Sequence, residues 1–221
     1  MQDHDCVALR YTELPLSEMQ QRAHNFADLM HARRSVRYFS DRNVPKELID
    51  ECLRAAASAP SGANRQPWHF VAISNPAVKH RIRDAAEVEE RDFYERRAPE
   101  RWKDALAPLG TDADKPFLDI APWLIVVFYK AYDFDTNGDK INNYYPQESV
   151  GIASGMLITA LHNCGLVTLT HTPSPMGFMN EILERPSHER AYLLLPVGYP
   201  AEDATVPAIT RKSLDEVVSY F

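Results

Sequence analysis

Residues 148–163, ESVGIASGMLITALHN, constrain the fold more than any other stretch of the chain. The stretch reads as a helix that is apolar on nearly every side. Such a helix is buried, either in a core or in a subunit interface. Gly151, Ala153, Ser154 and Gly155 are small residues at a spacing that lets another helix approach closely. Neither this stretch nor 122–129 is long enough to span a bilayer, which takes about 20 apolar residues.

The rest of the chain supplies strands separated by helices of mixed length. PWLIVVFY, 122–129, is β-branched and apolar throughout and gives the strongest strand signal. WHFVAI, 68–73, is a second strand, and two more are expected near 166–171 and 191–197 with a short helix between them. The spacing predicts a helix over 17–34, with Met19, Ala23, Phe26 and Met30 on one stripe. Another follows Val44-Pro45, where Pro45 suits a first helical position and Leu48, Ile49, Cys52, Leu53 and Ala56 give the inward face. A highly charged helix is expected over 76–98, interrupted by Pro99 and followed by a polar stretch to Pro116. The tail SLDEVVSYF either caps a helix at Ser213 or adds a strand. No repeat, low-complexity tract or Gly/Ser linker divides the chain. Residues 17–221 therefore read as one domain after an extension over 1–16.

Charge and motifs exclude several function classes. A chain of 221 residues with a net charge of -7 lacks the broad basic surface that nucleic acid requires. The three cysteines, Cys6, Cys52 and Cys164, form no C-x-x-C pair and do not suggest a disulfide framework. Cys164 reads as a small packed residue at a helix end rather than a nucleophile. With no signal peptide in MQDHDCVALR, a soluble cytoplasmic protein is the expectation. The eight histidines make no metal-ligand pattern, so no metal site is expected. Neither G-x-G-x-x-G, a P-loop nor a G-x-S-x-G elbow is present. A phosphate, if bound, must be held by side chains.

Four groups of residues are candidates for that and other chemistry. Arg33, Arg34, Ser35 and Arg37 cluster in an acidic chain, and guanidinium forks match phosphate oxygens. The alternative is a basic helix end answering the helix dipole. Arg211-Lys212 is a second basic pair that closes the same anion site or stands alone. In APSGANRQPW, 59–68, Ser61, Gly62 and Ala63 offer successive N–H groups to an anion, or form an ordinary helix-to-strand loop. Glu90 and Tyr94 share a helix face and, with Lys115, suit an amino-acid zwitterion. Pattern alone favours a solvated face there, because Glu87, Glu89, Arg91 and Asp92 are charged too. In TLTHTP, 168–173, Thr170 and Thr172 point to one side of a strand, suited to a cofactor ring nitrogen or simply to a strand.

RRSVRYFS followed by VPKELIDECLRAAASAPSGANRQPWHFVAI closely resembles the start of the nitroreductase-like FMN flavoproteins. PSGANRQPW, EERDFYERRAPERW with the later Lys115, LVTLTHTP and LLLPVGYPAEDATVPAITRKSLDE narrow the resemblance to the iodotyrosine deiodinase family, over nearly all of 17–217. The resemblance implies an α+β fold: a central mixed, mainly antiparallel sheet flanked by helices, in an intertwined homodimer with FMN at the interface. It implies that Arg33, Arg34, Ser35, Val36, Arg37 and Arg211 bind FMN. Pro60 and Ser61 join them, as do Thr170, His171 and Thr172. The Thr172 hydroxyl would lie near N5 and serve catalysis by favouring stepwise single-electron transfer. Glu90, Tyr94 and Lys115 match a zwitterion clamp on a mobile lid over about 85–116, and the Ala63 N–H would meet the substrate phenolate. The implied activity is reductive dehalogenation of halotyrosines with electrons from an unidentified reductant. A nitroreductase or quinone reductase on the same fold, and a non-enzymatic flavin-binding protein, are the alternatives.

Overall fold

The computed structural model describes residues 6–221, which fall into two units divided between Arg33 and Arg34. The extension expected over 1–16 therefore lies partly outside the described residues. In the first unit, residues 6–15 carry no regular structure and α1 spans Leu16–Ala32. Surface pairs one turn apart brace it: Arg22 to Glu18 at 2.6 Å and Gln21 to Asn25 at 2.7 Å. The apolar stripe is present, yet α1 buries none of its residues, and Met19 and Phe26 remain exposed.

The second unit is built on a four-stranded antiparallel sheet. Its strands are β1 (Trp68–Ile73), β2 (Trp123–Lys130), β5 (Val167–Thr168) and β6 (Glu189–Gly198), in the order β1-β2-β6-β5. A parallel bridge between Ser35 and Thr168 extends the sheet beyond β5 and makes it mixed. A separate hairpin, β3 (Tyr132–Phe134) and β4 (Lys140–Asn142), went unanticipated. Its turn is built by the Asp135 carboxylate, which accepts from the N–H groups of Asn137 and Asp139, both at 2.8 Å.

Helices cover both faces of the sheet, and this explains why β2 is apolar throughout. Successive side chains of a strand point to opposite faces. Trp123, Ile125 and Val127 join one core with α2 (Lys46–Ala56) and α6 (Pro146–Asn163). Leu124, Val126 and Phe128 join the other with α3 (Pro76–Asp92), α5 (Phe117–Ile120) and α7 (Phe178–Ile182). On α6, Val150, Ala153, Leu157 and Leu161 enter the core. Its opposite face is uncovered, with Ile152 at 48% exposure and Gly155 open.

Four further expectations need correction. The charged helix stops being α-helical at Asp92 and continues as one wider turn, Phe93–Arg97. The stretch after Pro99, expected to be merely polar, contains α4 (Glu100–Leu106). Trp102 anchors that helix by packing edge-on against Phe93, with ring centres 5.0 Å apart. The strand expected over 166–171 pairs regularly only at 167–168, and His171 makes a lone bridge to Leu194 before Pro173. Ser213 does cap, but through a capping box with Glu216 that closes a single turn, 214–216. Cys164 is exposed rather than packed. Among the described residues no helix is long and apolar enough to cross a membrane.

Candidate functional site

A cavity of about 610 Å³ opens between the end of α3, the segment leading into α5, and the edge of the sheet. Of the residues singled out in the sequence, Arg37, Glu90, Tyr94, Lys115, Thr170, His171 and Thr172 all line it.

Lys115 is the pivot. Its side chain is 2% exposed, and its Nζ lies 3.3 Å from Glu90 Oε2. The same ammonium donates to the Thr111 hydroxyl at 3.3 Å and to the Asp112 carbonyl. Tyr94 donates to the Thr111 carbonyl at 3.2 Å. Burial pushes the Tyr94 phenol up from its usual value, so it remains a donor at neutral pH. The Lys115 backbone N–H donates to Glu87 at 2.8 Å, while Arg83 reaches both Glu87 and Asp119, at 2.7 and 2.9 Å. Burial disfavours the Glu87 carboxylate, but the Lys115 N–H and Arg83 outweigh it and hold its carboxyl below the ordinary range. Thus Glu90 is not on a solvated face. It is largely covered and pairs with the buried Lys115, while its neighbour Arg91 is exposed.

The sheet edge supplies the opposite wall. The Val36 N–H donates to the Thr168 carbonyl at 3.0 Å, which sets the arginine-rich segment alongside the threonine segment. Arg37 then faces the cavity, as do Thr170 and Thr172, both exposed. Between them His171 is buried, its ring edge-on to Phe117 at 5.7 Å. Its Nε2 has no hydrogen-bond partner. Burial, then Lys115 and Arg37, push its pKa down to about 3, so the imidazole is neutral. An orphaned buried nitrogen in a cavity wall is an open place for a ligand atom.

The other expected residues are distributed elsewhere. Arg34 donates to the Pro207 carbonyl, so the arginine segment meets the chain four positions ahead of Arg211. Arg33 caps α1 in the first unit. Pro60, Ser61 and Ala63 do not line the cavity. Their loop is fixed against the start of α6: Gly62 N donates to Ser149 Oγ at 3.4 Å, and Ser61 Oγ accepts from Gln66 N at 2.9 Å. A Cβ on Gly62 would come within 2.6 Å of the Tyr144 carbonyl oxygen, so only glycine fits. Ala63, Asn64 and Gln66 all hold left-handed backbone, with φ of 48°, 53° and 49°. Three non-glycine residues in that region make a strained, defined loop.

Sequence reasoning missed Trp102, Thr111 and Arg97. The first two line the cavity. Arg97 binds Glu89 Oε2 at 2.9 Å and Asp92 at 2.6 Å, and donates to the Ser174 carbonyl at 2.7 Å. The aromatics on either side of Pro99 were the signal for Trp102. Nothing local marks Arg97 among its charged neighbours.

Comparison with known proteins agrees with this architecture. The model of the nitroreductase family matches residues 30–199. An iodotyrosine deiodinase of Haliscomenobacter hydrossis is 54% identical over 204 residues, covering 92% of each chain. Human iodotyrosine deiodinase 1 is 45% identical, over 96% of this chain and 74% of its own length. A crystal structure of oxidised iodotyrosine deiodinase bound to FMN and 3-iodo-L-tyrosine superposes with a TM-score of 0.78 at 33% identity, covering 89% of this chain and 98% of that one. A Bacteroides thetaiotaomicron protein described as an NADH dehydrogenase/NAD(P)H nitroreductase shares the fold, with a TM-score of 0.62 at 23% identity over 89% and 96% of the two chains. The chain belongs to the nitroreductase family and, within it, to the iodotyrosine deiodinases.

Proposed function

We propose that this protein is an FMN-dependent enzyme that removes halide from halotyrosines and acts as a homodimer. The observation that carries the substrate class is the buried Lys115 paired with the largely covered Glu90, with Tyr94 beside them on the cavity wall. A zwitterion fits by exchange. Its ammonium takes Glu90, while its carboxylate takes Lys115 and the Tyr94 hydroxyl. Each protein charge changes partner without losing one. Both are already withdrawn from water, so binding adds little desolvation on the protein side.

The residues present fit FMN. His171 offers an unpartnered nitrogen, Thr170 and Thr172 offer exposed hydroxyls, and Arg37 faces the same space. Arg34, Ser35, Val36 and Arg211 would hold the phosphate and its approach, where this chain has arginine forks in place of a glycine-rich loop. Thr172, exposed on the cavity wall, would donate its hydroxyl hydrogen to the flavin ring nitrogen N5. FMN, when bound and reduced, supplies two electrons one at a time. In the net reaction the aryl carbon–halogen bond breaks, a carbon–hydrogen bond forms, and halide leaves. One proton and two electrons are consumed. Protonation of the phenolate ring at the halogenated carbon opens that route. Residues 85–116 act as the lid that excludes water and holds the ring in place.

The dimer rests on what one chain leaves unused. Pro60, Ser61 and Ala63 sit on a strained loop that does not reach this chain's cavity. A second copy brings that loop to it, and the Ala63 N–H then meets the phenolate oxygen. The open face of α6 and the exposed Leu214, Val217, Tyr220 and Phe221 are the apolar surfaces such an assembly covers. The free thiols of Cys6, Cys52 and Cys164 fit a reducing cytoplasm.

The test is anaerobic. The bound flavin is reduced, iodotyrosine is added, and flavin reoxidation and tyrosine formation are followed together. Equal amounts of oxidised flavin and tyrosine are expected. Reoxidation by nitroaromatics but not by iodotyrosine would make the protein a nitroreductase instead. Sedimentation at micromolar concentration checks the dimer, with a monomer as the overturning result.

A further inference from the structure

Cys52 and Cys164 stand apart from the cavity and from all the chemistry above. Cys52 lies on α2 at 2% exposure, and Cys164 follows the last turn of α6, exposed. Their sulfurs are 3.9 Å apart, although 112 residues separate them in sequence. Cys164 lies three positions beyond Leu161, on the side of α6 that meets α2. It is off the open Ile152–Gly155 face that the proposed dimer covers. Gly165, with φ of 79°, follows at once and ends the helix in left-handed backbone.

We propose that Cys52 and Cys164 form a reversible disulfide clasp between α2 and α6, made by exchange with a low-molecular-weight disulfide. The exposed Cys164 thiolate attacks one sulfur of the external disulfide and expels the other as a thiolate. This leaves a mixed disulfide on Cys164. The Cys52 thiolate then attacks the Cys164 sulfur and expels the second external thiolate. Two protein thiols are oxidised, one external disulfide is reduced to two thiols, and the two protein protons end on those thiols. The sulfurs must close by about 2 Å to reach bonding distance.

The order of attack follows from burial. The Cys52 thiol is pushed up to about 12, first by burial and then by Cys164 beside it, so it is not the first nucleophile. Once Cys164 is in a mixed disulfide it carries no charge, and burial is the main obstacle left. The clasp ties together a helix that leads into the loop proposed to serve the partner's cavity and a helix that leads into the wall of this chain's own. α2 runs into residues 59–66, and α6 runs through β5 to Thr170–Thr172.

The experiment uses the full chain with Cys6→Ser, which prevents pairing between molecules. Oxidised glutathione is added, and intact mass, free thiols under denaturant and Tm are measured. The expected product has lost two hydrogens, retains no glutathione and has no free thiol. Its Tm rises by roughly 5–10 °C and returns with dithiothreitol. Cys52→Ala in the same background should accumulate a stable glutathione adduct on Cys164, while Cys164→Ser should stay unreacted. A lasting adduct on Cys164 with Cys52 intact, or no reaction at all, overturns the proposal. Because no readout depends on flavin or substrate, failure here leaves the dehalogenase reading untouched.

Discussion

Strand β2 and the segment from Phe93 to Lys115 are held by different forces. In β2, Trp123 to Phe128 are all buried and divide between two cores. In the segment, Lys115 is the only buried residue. It is held by a few directed contacts: Tyr94 to Thr111, Arg97 to Ser174, Lys115 to Glu90, and Trp102 on Phe93. Apolar burial is non-directional and spread over many atoms, so it does not come undone piecemeal. A few polar contacts beside a cavity can be exchanged for ligand contacts one by one. Parts of that kind open locally at small cost, as a lid must.

The sharpest separation comes from Phe128→Ala. Its side chain is fully buried in the second core, and its loss should cost about 3–5 kcal/mol of unfolding free energy in a urea titration. KM for halotyrosine should barely change. Glu90→Gln should do the reverse. It removes the carboxylate opposite the ammonium while Lys115 keeps Thr111 and Asp112. Stability should fall by about 1–2 kcal/mol, and KM for iodotyrosine should rise about a hundredfold, equivalent to ~2.7 kcal/mol. A halophenol without the amino-acid group should be nearly indifferent. Equal sensitivity of both substrates would remove the clamp from the account.

The same contrast decides what was legible in the sequence. β2 announced itself because burial on both faces demands an unbroken apolar run, and α6 because its small and apolar residues fit nothing else. Both are local patterns. Glu90 looked like Glu87 and Glu89, and what sets it apart is a lysine 25 positions later. The pattern could list Lys115 as a candidate beside Glu90 and Tyr94, but only the resemblance chose that reading over a solvated face. Arg97 was invisible because its partner carbonyl belongs to Ser174, 77 positions away. The hairpin β3–β4 was missed although DTNGD, 135–139, is a turn signal, because its strands are only three residues long. Left-handed backbone at Ala63 and Gln66 could not be read either, since neither residue type favours it.

His171 sits where the two regimes meet, on the sheet but facing Lys115 and Arg37, and it gives the third test. Its ordinary pKa of 6.5 applies when the chain is unfolded, and about 3 when it is folded. Above pH 6.5 both states carry a neutral ring, and its contribution to stability is fully present. As the pH falls below 6.5, the unfolded chain takes up a proton that the folded chain refuses, and stability is lost until the folded ring also protonates near pH 3. By pH 5 the loss should reach about 2 kcal/mol. Urea midpoints of the native chain and His171→Gln, measured from pH 7 to pH 5 at the same flavin content, isolate this group. Parallel curves would mean that the ring is hydrated or partnered in solution.

The smallest expected effect is the most specific to the segment. Arg97 fastens the turn after α3 to the Ser174 carbonyl, just beyond Thr172, and to Glu89 and Asp92 on α3 itself. The guanidinium is about one-third exposed, so its ion pairs are screened and count for little. The hydrogen bond to Ser174 counts for more, because it is the tie in this set that runs from the segment to the sheet edge. Arg97→Lys keeps the charge but loses the planar fork that reaches Ser174 and Glu89 together. That loss should be worth about 1 kcal/mol. It should leave Tm nearly unchanged while cleavage by a protease within residues 98–114 becomes about fivefold faster. Bound iodotyrosine should restore most of the protection, because the clamp residues then hold the segment in place of the arginine. If cleavage is no faster in the variant, Arg97 does not fasten the segment, and its closure rests on Lys115 and the aromatic pair alone.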